Sequence, residues 1–289
     1  MTRLLVSLQH WLPHHALSRI AYRLTRSRIR WLKNLLIGAF VRAYHPEMSE
    51  AIEPDPLAYA SFNDFFTRRL KPQARPLRAD PGCVVSPADG VLSAIGAIDD
   101  DTLLQAKNRH FTLAQLLAAD SDTDGADWAA RLRGGSYATI YLAPSNYHRV
   151  HMPLSGTLQA AWHVPGRLFS VNEATAAQVQ RLFARNERVI CAFAGERWPF
   201  VVVLVGALFV GSMTTVWHGE VTPCRSRRPK RLRPVAPATA ALPLGAELGG
   251  FNMGSTAILL LPPASVRWDS ALRSGSHVRM GQALGSLRP

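Results

Sequence analysis

The sequence has 289 residues, 47% of them hydrophobic, so it can bury a core and is too apolar for a chain that is disordered throughout. Its 33 Lys and Arg against 20 Asp and Glu give a formal net charge of +13, which favours anionic partners such as nucleic acid, anionic lipid or phosphorylated substrates. Three widely spaced cysteines argue against a disulfide framework or a zinc site and favour a reducing compartment.

The N-terminal segment is basic and apolar at once. Residues 1–46 contain eight Lys or Arg and no acidic residue. Arginines interrupt every apolar run, so the segment lacks both a bilayer-spanning stretch and a secretory pattern. In residues 17–44, Leu, Ile, Trp and Phe alternate with Arg at helical spacing, which is typical of a helix lying in a membrane interface.

We therefore predict that residues 1–60 form a basic amphipathic helical region that associates with an anionic membrane surface. Two alternatives fit the same composition. One is a helix docked on the core with a solvated basic face, and the other is a mitochondrial transit peptide, which is also rich in Arg and poor in acids.

In the rest of the chain the sequence pattern changes from helical to β-rich. FNDFFTRRL (62–70) predicts a short helix, and from about residue 84 short β-rich runs are separated by Gly and Pro. Two helices are predicted within this part, at 110–119 and 173–184. The basic run RSRRPKRLR (225–233) predicts an exposed loop.

Three segments suggest the fold. SPADGVLSAIG (86–96) and MPLSGTLQAA (152–161) each place a Pro and then a Gly before a strand, and HVRMGQALGSL (277–287) is similar to the closing half of a lipoyl or biotinyl carrier. We predict an α+β fold: a β-rich core of two packed sheets, barrel-sandwich-like, with N-terminal membrane-binding helices. Carrier function is not favoured, because neither Lys107 nor Lys230 lies in the exposed Met-flanked hairpin that a carrier needs.

Two histidines are the first candidates for chemistry. His148 and His151 lie three residues apart in APSNYHRVHMP (143–153), at the entry to a predicted strand. Two close histidines could bind a metal, but no third ligand with suitable spacing is evident, so no metal site is predicted. Histidine is also the usual acid or base near neutral pH.

A serine and an aspartate could join them. FNMGSTAILLLP (251–262) places Ser255 in a Gly-Ser-Thr step before an apolar run typical of a buried strand. Asp89 lies between Ala and Gly, where an Asx-turn is the ordinary role of an aspartate. With His151, the two could form an Asp-His-Ser arrangement in which Asp orients the imidazole and the imidazole takes the serine proton. Spacing along the chain does not show that the three meet.

From about residue 60 to 287 the chain resembles the bacterial phosphatidylserine decarboxylases. The segments that carry the resemblance are long and distinctive: FNDFFTRRLKPQARPL, SPADGVLS, LQAKN, YLAPSNYHRVHMPLSG, LFSVN, LFARNERVICAF, VGALFVGSMTTVW and FNMGSTAILL. Met253 stands where this family commonly has Leu, a change that conserves volume.

The resemblance implies a proenzyme that makes its own pyruvoyl cofactor. Self-cleavage would fall between Gly254 and Ser255 and give a β subunit, 1–254, and an α subunit, 255–289. Ser255 would attack the carbonyl of Gly254 and become the pyruvoyl group. His151, oriented by Asp89, would remove the serine proton.

The implied reaction converts phosphatidylserine to phosphatidylethanolamine and CO2 through a Schiff base between the substrate amine and the pyruvoyl ketone. His148 would then protonate Cα, and residues 61–289 would form the catalytic domain. The family usually has Asp where this chain has Asn146. If that Asp tunes the first histidine, His148 should have a lower pKa here, because an amide supplies no charge.

The resemblance further implies a homodimer of αβ units on the cytoplasmic face of the cell membrane, held peripherally, with no role for nucleic acid. Three alternative functions would each require a specific sequence feature. A nucleic-acid-binding protein would need a recognisable binding module. A serine hydrolase would need a G-x-S-x-G nucleophile elbow, and a carrier would need a lysine in an exposed Met-flanked hairpin. The sequence contains none of these.

Overall fold

The computed structural model describes residues 6, 9–77, 80–106, 109–208, 212–222, 227–233, 241–252 and 255–289. Seven α-helices lie wholly within these ranges: α1 His14–Thr25, α2 Arg30–Tyr44, α3 Phe62–Phe66, α4 Leu113–Leu117, α5 Gly125–Leu132, α6 Glu173–Ala176 and α7 Leu182–Arg185. Short 3-10 turns occupy Pro56–Ala58 and Pro72–Ala74.

The same ranges contain eighteen strands: β1 Cys83–Val85, β2 Gly90–Ala97, β3 Thr102–Ala106, β4 Arg109–Thr112, β5 Ser136–Leu142, β6 Arg149–His151, β7 Gly156–Val164, β8 Arg188–Gly195, β9 Phe200–Val205, β10 Met213–Thr215, β11 Gly219–Glu220, β12 Lys230–Arg231, β13 Ala241–Leu242, β14 Glu247–Phe251, β15 Ser255–Leu261, β16 Val266–Trp268, β17 His277–Val278 and β18 Ala283–Leu287.

These strands form four sheets, and neighbouring strands in each pair antiparallel. The largest has nine strands in the order β12-β7-β8-β9-β15-β5-β2-β17, with β13 also paired to β7. The others are β11-β10-β14-β6, β1-β18-β16 and the hairpin β3-β4.

The central strands of the nine-stranded sheet are buried on both faces, which explains their continuous apolar sequences. Every residue of β9 and β15 is buried. Ile258 and Leu260 face a cluster that includes the helices α4, α5 and α7, whereas Leu259 and Leu261 face residues of the smaller sheets. Each such side chain contributes roughly 1.5–3 kcal/mol by leaving water, so a charge placed on β15 would break the core.

The predicted class is confirmed in outline, and the finer architecture is different. The core is sheet-rich and mixed with helices, but the described residues form four sheets and close no barrel, where two packed sheets had been predicted. The reason is that β9 and β15 need a covering layer on each face. Helices supply one layer and the smaller sheets supply the other.

Three predicted elements also change. Residues 110–119 form a strand and then a helix, because Thr112 and Gln115 make a capping box that starts α4 at 113. Residues 173–184 contain two short helices, and Arg181 between them has a left-handed backbone with φ 53°. Within the described part of 225–233, Lys230–Arg231 pairs with β7 as an edge strand, and the remainder is largely exposed.

The N-terminal helices dock on the core by one side only. In α2, Ile37 and Phe40 pack against the phenylalanines of α3. In α1 the buried residues are polar, namely His14, Ser18 and Thr25. None of the described helices is long and apolar enough to cross a bilayer.

Candidate active site

Two chain connections meet beside the central strand of the large sheet. Ser255 begins β15 and lies opposite the last residue of β5. The connection from β5 to β6 carries His148, whose carbonyl oxygen accepts a hydrogen bond of 3.0 Å from the N–H of Phe251 at the end of β14. Because β5 pairs with β15 and β6 pairs with β14, this register places His148 and Ser255 at one junction.

Each of these residues has a buried polar atom with no hydrogen-bond partner among the described residues. The atoms are Ser255 Oγ and His148 Nε2, and both residues are fully buried. An unpartnered buried polar group costs about 1–3 kcal/mol, so two at one junction require an explanation. Thr139 Oγ1 on β5 and Thr256 Oγ1 on β15 have no described partner either, so the two atoms at the junction are compatible with a cofactor built at Ser255 but do not by themselves identify it.

The imidazole of His148 is held in a defined state. Its Nδ1 lies 2.8 Å from the carbonyl oxygen of Asn146, so Nδ1–H donates and the lone pair is on Nε2. The ring packs on Phe66 with centroids 4.1 Å apart. The pKa of His148 is lowered to about 3, mainly by burial. The hydrogen bond to Asn146 raises this pKa, and the charge of Arg68 lowers it further. His148 is therefore neutral at pH 7.

Asn146 orients His148 with its main chain. Its side-chain Oδ1 accepts a hydrogen bond of 2.7 Å from Ala143 N and closes the turn. The low pKa of His148 thus has burial as its main cause. Whether the amide changes that pKa relative to the family Asp stays a prediction.

His151 differs because both of its ring nitrogens are engaged. Nδ1 lies 2.8 Å from the carbonyl oxygen of Gly245, and Nε2 lies 2.9 Å from the hydroxyl of Tyr147. With Nδ1–H donating to the carbonyl, Nε2 accepts from the tyrosine hydroxyl. Burial lowers the pKa of His151. Among the described residues, no group of three or more His, Cys, Asp or Glu could hold a metal ion.

Asp89 lies near His151 without bonding to it. The N–H of His151 donates to the carbonyl of Pro87 at 2.8 Å, so the two segments are neighbours. The Asp89 carboxylate is buried and accepts from Arg75 Nε at 2.9 Å, from Arg75 Nη2 and from Met280 N at 2.8 Å. The intact chain thus does not join Asp89, His151 and Ser255 by hydrogen bonds.

The sequence did not mark Arg75 or Tyr147 as parts of this cluster. Arg75 also donates to Glu50 at 2.8 Å, which receives a second hydrogen bond of 2.9 Å from Arg279. Arg75 lies in the QARPL segment that supported the family resemblance, and that was the only available signal.

A chain of hydrogen bonds fixes the segment that precedes Ser255. Met253 and Gly254, including the predicted cleavage bond, lie outside the described residues. Just before them, Asn252 N donates to Ser212 O at 3.0 Å, and Asn252 Nδ2 donates to Ser212 Oγ. Arg26 Nη2, just after α1, donates to the same hydroxyl at 2.9 Å. This chain connects the N-terminal helix to the strand that leads into β15.

Comparison with known proteins gives the family. The sequence model described as phosphatidylserine decarboxylase matches residues 62–286, and one described as PSD matches residues 4–45. The relatives of this chain include several proteins named phosphatidylserine decarboxylase proenzyme. Those of Ectopseudomonas mendocina and Bordetella pertussis are each 51% identical to this chain; the first match covers 99% of both chains, and the second covers 98% of this chain and 94% of the relative. The relative from Saccharophagus degradans is 46% identical over 99% of this chain and 98% of its own length. The chain belongs to the phosphatidylserine decarboxylase family.

Proposed function

We propose that this protein decarboxylates phosphatidylserine to phosphatidylethanolamine after it has cut its own chain between Gly254 and Ser255. The decarboxylase activity follows from its family and from near full-length relatives that bear that name and are called proenzymes. The observation that supports Ser255 as the cleavage residue is its buried hydroxyl, which has no described partner and lies at the junction that also holds His148 Nε2.

The cleavage needs only the chain and water. Ser255 Oγ attacks the carbonyl carbon of Gly254, the peptide nitrogen leaves as an amine, and an ester replaces the amide. Removal of the Cα proton of residue 255 expels the Gly254 carboxylate and leaves dehydroalanine. Water then hydrolyses the tautomerised enamine, ammonia leaves, and a pyruvoyl ketone begins the α subunit.

The proton of Ser255 Oγ must pass to a base. We assign this role to His151 within the Asp89 cluster, and its Nε2 must first release the Tyr147 hydroxyl. His148 is the competing assignment, because its Nε2 lone pair has no described partner. Variants of the two histidines separate these assignments, as described in the Discussion.

The pyruvoyl group supplies an electron sink for the charge that remains when CO2 leaves. We assign to His148 the proton that replaces the lost carboxylate. A neutral, buried imidazole must first acquire that proton, and a nearby substrate anion would raise its pKa. Packing on Phe66 and the Asn146 hydrogen bond hold the ring in place while this occurs.

Both products of cleavage should stay together. β15 belongs to the predicted α subunit, 255–289, and pairs along its length with β5 and β9 of the predicted β subunit. The short fragment is thus a central strand of the large sheet and does not leave without unfolding it. A homodimer of such αβ units, and the division into a 1–60 membrane region and a 61–289 catalytic domain, rest on the sequence and the family resemblance.

The N-terminal helices support peripheral binding to an anionic membrane, which we place at the cytoplasmic face of the cell membrane. The outward side of the N-terminal segment carries many large apolar side chains, namely Trp11 87%, Trp31 68%, Leu35 63%, Ile20 57%, Ile29 54%, Tyr44 48% and Leu24 43%. Exposed arginines, such as Arg23 and Arg28, lie among them. An apolar surface with basic residues at its edges is what an interfacial helix presents to lipid.

The test is release of CO2 from vesicles that contain phosphatidylserine. We expect release with the wild-type protein, none with Ser255→Ala, and loss of wild-type activity after treatment with phenylhydrazine, which reacts with ketones. Activity that persists in Ser255→Ala would contradict the proposal.

A further inference from the structure

Arg68 carries a buried positive charge that its surroundings only partly satisfy. The residue follows α3 and is 3% exposed. Its Nη2 donates to the carbonyl of Ser145 at 3.2 Å, whereas Nε and Nη1 have no hydrogen-bond partner among the described residues. Arg68 also lines a cavity of about 480 Å³, a size typical of small-ligand sites.

The acidic residues of the same cavity do not neutralise this charge. Asp89 is bound by Arg75, and Glu50 is bound by both Arg75 and Arg279. Glu47 is exposed, so water screens its charge. A buried cation without a close counter-charge is costly, and a bound anion would remove that cost.

The cavity borders the candidate active site. Ser145, Asn146 and Tyr147 line it, and they belong to the same connection that carries His148. Arg68 holds this connection through its hydrogen bond to Ser145, and its charge is felt at His148. An anion bound by Arg68 therefore lies beside the junction of His148 and Ser255.

We propose that Arg68 binds the phosphodiester of the substrate headgroup. The inference rests on the proposed function, and it adds a residue that positions the lipid. In phosphatidylserine the phosphorus is joined to the reacting Cα through only Cβ and one ester oxygen. A headgroup that reacts at Ser255 therefore carries its phosphodiester a short distance away. Rotation of the Arg68 side chain would present Nε and Nη1, which have no partner among the described residues, to the phosphate.

The substrate carboxylate is the other possible anion, and the reaction disfavours it. Decarboxylation moves negative charge from the carboxylate to Cα. A guanidinium bound to the carboxylate would therefore stabilise the substrate more than the transition state and slow the reaction. The phosphodiester keeps its charge throughout, so binding it holds the lipid without opposing the chemistry.

The test compares Arg68→Met with Arg69→Met, which removes the same charge from the exposed neighbouring residue. Mature protein, with its cut state verified by mass, is assayed on soluble dioctanoyl-phosphatidylserine. Because a charge-assisted hydrogen bond to the substrate is lost, we expect Arg68→Met to raise KM about tenfold or more, with a smaller change in kcat. Arg69→Met should match the wild type.

Binding of the product distinguishes the two anions. Dioctanoyl-phosphatidylethanolamine has the phosphodiester and lacks the carboxylate, and its Kd is measured by titration without turnover. We expect Arg68→Met to raise this Kd by the same factor as KM. An unchanged Kd with a raised KM would assign Arg68 to the carboxylate, and an unchanged KM would remove it from the site; either result overturns the proposal.

Two further results keep the inference separate from its premise. If Arg68→Met is not cut, Arg68→Lys retains the charge and is measured in its place; failure of both variants to mature would make Arg68 a folding residue and overturn the proposal. If the wild type binds phosphatidylethanolamine through Arg68 but releases no CO2, the phosphodiester site stands and the proposed decarboxylation fails.

Discussion

The junction at Ser255 and the surface of α1 depart from normal packing in opposite directions. At the junction, the polar atoms Ser255 Oγ and His148 Nε2 are buried without described partners. On α1, polar residues face the protein, and the apolar residues Ile20 and Leu24 face outward beside the exposed Arg19 and Arg23. The rest of the large sheet is mostly apolar on its buried faces, although Thr139 Oγ1 and Thr256 Oγ1 are also buried there without a described partner.

Departures from the usual packing rules are expected at functional sites, where a residue serves chemistry or binding at a cost in stability. We propose that the hydroxyl of Ser255 is consumed by self-cleavage and that the exposed apolar residues of α1 are covered by a lipid surface. The two regions are also connected, because Arg26 after α1 and Asn252 before β15 both donate to Ser212 Oγ.

The largest expected effect is at Ser255. Ser255→Ala removes the proposed nucleophile and should abolish cleavage, leaving one chain on a denaturing gel. Thr139→Val is the matched control, because it removes another buried hydroxyl without a described partner, on β5 of the same sheet opposite Ile258. We expect Thr139→Val to cut normally. If both variants cut, or neither does, the junction has no special chemistry.

The two histidines should separate into different defects. His151→Ala should block cleavage, whereas His148→Ala should cut and then decarboxylate about a hundredfold or more slowly, since it removes an acid catalyst. Cleavage is measured by mass and decarboxylation by CO2 release. His110→Ala, at an exposed histidine, should behave as wild type in both assays.

The reverse pattern, with an uncut His148→Ala and a cut His151→Ala, would make the open Nε2 of His148 the maturation base. It would overturn the division proposed above.

Sequence reasoning succeeded where the information is local. The Gly-Ser-Thr step and the apolar run after it predicted a special serine just before a buried strand, and the structure begins that strand, β15, at Ser255 itself. Sequence reasoning did not identify Arg75, because the hydrogen bonds from Arg75 to Asp89 join residues 14 apart in the sequence and form only in the folded chain.

The burial and the tautomers of the two histidines could not be predicted from the sequence either. His148 and His151 are three residues apart in one motif, yet one has an open Nε2 and the other is bound on both nitrogens. The prediction of two packed sheets was wrong for a related reason: continuous apolar runs indicate burial but not how many layers provide it.

Acid sensitivity should reveal the burial of His148. Its pKa is about 3 in the folded chain and near 6.5 when unfolded, so between these values the unfolded state binds the extra proton. Stability therefore falls as pH drops below 6.5, and at pH 5 the loss from this group is about 2 kcal/mol. The pH dependence from this group ends about one pH unit above the unfolded pKa of 6.5.

The measurement is urea unfolding at pH 7 and pH 5 in the Ser255→Ala chain, with and without His148→Gln. We expect the His148→Gln chain to lose about 2 kcal/mol less between the two pH values. Equal losses in the two chains would show that His148 is accessible to protons in the folded state.

The smallest effect should be on lipid binding. Replacing Ile20 and Leu24 by Ser should weaken binding to anionic vesicles about tenfold, because two partly inserted apolar side chains are lost. Leu57 and Leu104, which are 46% and 42% exposed but lie outside α1 and α2, serve as the control pair. Equal losses from both pairs in a vesicle sedimentation assay would contradict a lipid-binding face on α1.

The most direct test of the central claim is the intact mass of the purified wild-type protein under denaturing conditions. The account predicts two fragments, 1–254 and 255–289, with the smaller lighter by one ammonia than a peptide that begins with serine. A single chain of 289 residues, or a small fragment with an intact N-terminal serine, would contradict a cofactor made from Ser255.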